Sequence, residues 1–151
     1  MAGIVDNTAA LRSDIKLFLK TVAIAYGKAA ADAGPKVAKQ AIEMFYSSYS
    51  PYIYRRTDNL KNNSYERYYK NNGSVVYGGV RISSDKMSEY QYGKWSATTV
   101  ASRTWAGGAH GNIHTFPPLS MAQMQLASLS AAIEAQAIAV GKSQGYATLK
   151  F

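Results

Sequence analysis

The sequence predicts an α+β domain: N-terminal helices, a small antiparallel sheet with a hairpin at Asn72-Gly73, and a C-terminal helix. Three observations carry that expectation. Apolar residues recur at helical spacing in the first and last thirds of the chain. Ten of the twelve tyrosines, a strand-favouring residue type, lie between Tyr46 and Tyr92. Asn72-Gly73 stands between two strand-like runs, where a tight turn needs residues comfortable at positive φ.

The first helix is marked by Leu11, Ile15, Phe18, Val22, Ala25 and Ala29, which form one apolar face, with Lys16, Lys20 and Lys28 largely off it. Asn7 or Thr8 can cap its start, since either side chain accepts from a free N–H group. Gly34-Pro35 interrupts the pattern. A second helical stretch follows over residues 35–49, with Val37 or Ala38, Ala41, Ile42, Phe45 and Tyr49 on one side, and Ser50-Pro51 stops it. Two helices and one kinked helix both fit.

The hairpin arms are residues 65–70 and 75–77, and Val80 and Ile82 keep the parity of Val76. Gly78-Gly79 inside a strand predicts a bulge or a close backbone approach. Residues 85–94 are polar and predict a loop or short strand. Residues 97–105 predict a short helix, Val100 and Trp105 inward, ended by Gly107-Gly108. Pro117-Pro118 cannot lie inside a helix, so the last helix starts near them. Ser120 with Gln123 reads as a capping box. Leu126, Leu129, Ile133, Ala137 and Val140 mark its apolar stripe, and Gly141 its stop. The expected organisation is one domain over residues 1–141 and a tail over 142–151.

Composition removes several function classes. The chain has 151 residues, 17 Lys+Arg against 9 Asp+Glu, and no cysteine. Disulfides, thiolate catalysis and Cys-ligated zinc are therefore out. No apolar run reaches the roughly 18 residues of a membrane span, and no secretory signal is evident. His110-Gly111-Asn112-Ile113-His114 is the only histidine pair, but no nearby acid supplies a third metal ligand. Asp85 and Glu89 are the only near pair of acids, in a polar stretch that reads as solvated. There is no nucleophile elbow and no phosphate loop. The expectation is no catalytic residue, no metal and no cofactor: not an enzyme.

Charge concentrates in the middle. Residues 46–103 hold nine bases and four acids. Arg55, Arg56, Lys61, Arg67 and Lys70 with Tyr52, Tyr54, Tyr65, Tyr68 and Tyr69 could form a nucleic-acid surface, tyrosine stacking on bases and the cations meeting phosphates. Tyrosine and arginine are equally at home in protein interfaces. The interface reading is preferred, on Tyr52, Tyr54, Arg55, Arg56, Tyr65, Arg67 and Tyr69; a basic single-domain nucleic-acid-binding protein is the alternative.

The segment FYSSYSPYIYRRTDNL, residues 45–60, resembles the Y-x-S-Y-x-P-x-x-Y-x-R-T-x-x-L stretch of small neck and minor structural proteins of tailed phages and prophages. His110-Gly111 and the Pro117-Pro118 entry to the last helix are also similar to that group, the tail-completion or head–tail connector proteins of long-tailed phages. The resemblance implies a non-enzymatic virion subunit at the junction of capsid and tail. It implies a homo-oligomeric ring, portal and tail proteins as partners, and genomic DNA passing through the lumen, with assembly in the host bacterial cytoplasm and no membrane. In that layout Pro51 ends the helix, Thr57 begins the turn toward the sheet, and Leu60 anchors in the core.

Overall fold

The computed structural model describes residues 8–48, 58–87, 95–107 and 117–146. Along the chain run α1 (Thr8–Ser47), α2 (Asn59–Asn63), β1 (Tyr65–Asn71), β2 (Val76–Ile82), α3 (Ala97–Trp105) and α4 (Pro118–Gly141), followed by a π-helical turn over Lys142–Tyr146. The fold is α+β and mostly helical, with one two-stranded antiparallel sheet. Asn7, Tyr49 and Ser50 lie outside the described residues, as do Pro51, Tyr52, Tyr54, Arg55, Arg56, Thr57, His110, Gly111 and His114.

Of the two readings left open for the N-terminal region, a single helix forms. α1 runs unbroken for 40 residues with Pro35 inside it. Proline removes one i→i−4 hydrogen bond and crowds the preceding turn, at a cost of about 3 kcal/mol. Packing on both sides of that point overrides the local penalty: Ala31, Gly34, Val37 and Ala38 are all buried.

α1 is the spine. The hairpin lies on one side of it and α4 runs antiparallel along another. At one end Gln125 of α4 donates through Nε2 to Met44 Sδ at 3.7 Å. At the other, Gly141 sits so close to Phe18 that a Cβ there would be 2.6 Å from its ring. α4 ends at Gly141, but not through a left-handed cap; the glycine is buried at a helix crossing. The expected capping box does not form either. Helix α4 already starts at Pro118, because proline at N1 loses only an N–H that has no helical partner, and Ser120 falls inside the helix.

Gly78-Gly79 makes a close approach and no bulge. The register from Tyr65↔Ile82 to Asn71↔Val76 is unbroken. A Cβ on Gly34 would stand 2.6 Å from the Gly79 carbonyl carbon, and one on Gly78 would stand 2.7 Å from Gly27 Cα. The strand backbone therefore rests directly on the helix backbone. The hairpin turn also departs from the expected type I′. Gly73 alone has positive φ (+88°), while Asn72 does not. Asn72 instead uses its side chain, Oδ1 accepting from the N–H of Val75 at 2.8 Å.

The core gathers at one end of the spine. Val37, Ala38, Ala41 and Ile42 of α1 pack with Leu60, Met87, Ala101, Trp105 and Ala122. Ser64 ties this end together. It is fully buried, and its Oγ accepts from Trp105 Nε1 at 2.9 Å and donates to the Leu60 carbonyl. Its own carbonyl accepts from Ser83 N–H at 2.9 Å. Trp105 also meets the Tyr65 ring edge-on, centroids 5.9 Å apart. We call this end the head, and the other end, the first half of α1 with the last turns of α4, the arm.

Candidate interaction surfaces

Alternation along β1 sorts its side chains onto two faces. Tyr65, Arg67 and Tyr69 share the face toward α1. Tyr65 meets Trp105, Tyr69 lies beside Gly27, and Arg67 Nε donates to Asp32 Oδ1 at 2.7 Å. Glu66, Tyr68 and Lys70 share the outer face with Tyr77 and Arg81 of β2. There Arg81 donates to Glu66 Oε1 through Nε at 2.8 Å and through Nη2, and its guanidinium lies 5.9 Å from the Tyr68 ring centroid. The Glu66 carboxylate holds Arg81 firmly protonated, its pKa raised first by that hydrogen bond and then by the opposite charge.

Of the interface residues expected from sequence, Tyr65, Arg67 and Tyr69 thus engage the chain's own helix. Tyr77 of β2, 48% exposed, is the freer aromatic. Tyr65 is half-buried, and burial first, then the nearby Glu43 charge, raises its pKa above 10.0. The expected anchor Leu60 is 4% exposed and sits in the core. Pro118 is buried at the start of α4, and Pro117 precedes it. Near the head, Trp95 is 44% exposed and covered on one face by Arg103, whose guanidinium is 3.7 Å from the ring centroid.

The arm is built differently. Phe18 is buried against α4, and Ile15 and Val22 flank it half-buried, as the apolar face predicts. Leu11, at the far end of the same face, is 51% exposed. Leu17 and Leu19 flank Phe18 on either side of the seam and are 52% and 55% exposed. On α4, Leu129 and Val140 of the expected stripe face outward, and Ala122, Ile133, Ala137 and Gly141 take the inward line. Arg12, Asp14, Lys16 and Lys20 also lie exposed along this stretch of α1, so its apolar surface beyond the seam is that of the leucines. Here the described chain encloses one side.

The sequence reading missed Leu17 and Leu19 because it looked for a single stripe. Their signal was the excess of large apolar residues over that stripe in one short stretch. Among the described residues no group of three or more His, Cys, Asp or Glu side chains could hold a metal ion. No helix among them is long and apolar enough to cross a membrane. No protein-family description, no curated protein and no solved structure matches the chain.

Proposed function

We propose that this chain is a structural subunit of a phage virion, a head–tail connector or tail-completion protein of the neck that works as a ring without catalysing a reaction. The observation that carries the reading is the arm. Leu11, Leu17 and Leu19 are each more than half exposed on a helix that, among the described residues, is covered on the Phe18 side. Isolated exposed leucines are ordinary, but Leu17 and Leu19 leave apolar surface on both flanks of the Phe18 seam, one flank for each neighbour in a ring. Cyclic assembly requires one face of a subunit to meet a different face of the next. The arm and the head supply two faces of different character, and the segment at residues 45–60 supplies the resemblance to neck proteins.

In this role the arm packs against neighbouring copies, and the ring stands between portal and tail with DNA passing through it. The test is direct localisation. Particles carrying a tagged copy of the chain are imaged at the neck. Ring density at the capsid–tail junction that carries the tag is the expected result. A chain absent from finished particles contradicts the proposal.

A further inference from the structure

The geometry points to a second contact: the outer edge of β1 pairs with the β1 edge of a second copy, antiparallel and centred on Tyr68. Two hydrogen bonds fix which backbone groups are left for it. Ser83 N–H donates to Ser64 O at 2.9 Å and Asn72 N–H donates to Val75 O at 3.2 Å, and the register between those two pairs is unbroken. In an antiparallel ladder hydrogen-bonded and non-hydrogen-bonded pairs alternate. Glu66, Tyr68 and Lys70 therefore spend their backbone groups on β2, while Tyr65, Arg67, Tyr69 and Asn71 turn theirs outward. Among the described residues, none of those outward groups has a backbone partner. β1 has neither proline nor bulge to guard its free edge; its guards are the charges of Arg67 and Lys70, which a partner of matching charge can meet.

The side chains select a second copy as the occupant. Centring on Tyr68 places the outward-bonding residues against each other, Arg67 opposite Tyr69 and Tyr65 opposite Asn71 of the second copy. It also places Glu66 opposite Lys70, in both directions, and Tyr68 opposite itself. Opposite charges and aromatic pairs directly across a sheet are favourable. Moving the centre to Arg67 sets two guanidinium groups against each other. Moving it to Tyr69 loses the Glu66–Lys70 pair. The helices fit beneath the joined sheet. β2 and its symmetry mate stand three strand spacings apart, about 14 Å, and packed helices need about 8–10 Å between axes. This contact is isologous and separate from the arm, so it holds or fails independently of the ring proposal.

The test is run with Leu17→Gln and Leu19→Gln in place, which blunts the arm and leaves the β1 contact to be read. Sedimentation gives the mass, and NMR gives amide exchange residue by residue. The expected result is a dimer in which the amides of Tyr65, Arg67, Tyr69 and Asn71 gain protection as concentration rises. The amides of Glu66, Tyr68 and Lys70 are protected throughout. Glu66→Lys alone and Lys70→Glu alone should each raise the dissociation constant at least tenfold, and their equimolar mixture should restore pairing. Arg67→Pro removes one outward N–H without touching the β1–β2 ladder, and should leave a folded monomer. The proposal is overturned by a monomer at every concentration, by a dimer whose four outward amides exchange freely, by protection of those amides in the monomer, or by a mixture that does not re-pair.

Discussion

The two halves of α1 carry similar apolar content and meet different fates. Val37, Ala38, Ala41, Ile42 and Phe45 in the second half are each no more than 4% exposed, closed in by α2, the hairpin base, α3 and the start of α4. In the first half Phe18 reaches that level of burial, while Leu11, Leu17 and Leu19 beside it stay more than half exposed; in the second half Met44 alone among the large apolar residues does so. The difference is the number of neighbours each half is given, not the residues themselves. Folding free energy is therefore concentrated in the head, and the arm keeps exposed apolar surface that the proposed ring would bury, at roughly 25 cal/mol per Å².

Substitutions in the head should be the most damaging. Leu60→Asp puts a carboxylate into the closed core, at a cost of about 4 kcal/mol, and denaturant melts should show the loss. A variant that melts like the parent would mean the head is not sealed. Gly34→Leu is next. Its side chain would start inside the backbone of Gly79, which has no flexible end to move aside. The hairpin must lift from α1, costing about 3 kcal/mol. Ser64→Ala leaves Trp105 Nε1 buried without its partner, for a loss of about 2 kcal/mol.

The smallest effect is a titration. The pKa of Tyr65 is raised in the folded chain, so the native state holds its proton more tightly than the unfolded state. Its contribution is complete below pH 10.0 and is lost as pH rises through the folded value. Alkaline melts should show this added destabilisation, and Tyr65→Phe should remove that part of it.

Much of the head was readable from residue patterns. The spacing of Ala41, Ile42 and Phe45 marked the inward face of α1, Trp105 was expected inside, and Gly78-Gly79 pointed to a bulge or a close approach, of which the approach forms. The continuity of α1 was not readable, because Pro35 is a local breaker and the packing that overrides it comes from distant segments. The start of α4 was misplaced because a serine–glutamine capping signal competed with a proline that a helix accepts at its first position. The site was less legible. Tyr65, Arg67 and Tyr69 drew attention as aromatic and basic residues, but strand parity turns them toward α1, and which parity faces the helix is decided only when the hairpin docks. Leu129 and Val140 kept helical spacing yet point outward, since the true line on α4 follows the small residues Ala122, Ala137 and Gly141 that let it approach α1.

The division of labour between head and arm is tested most directly by sedimentation of the parent beside Leu17→Gln/Leu19→Gln, with thermal melts of both. The account predicts that the parent forms ring-sized assemblies, while the variant loses them and melts within about 0.5 kcal/mol of the parent's stability. A variant that unfolds, or one that assembles as the parent does, would contradict it.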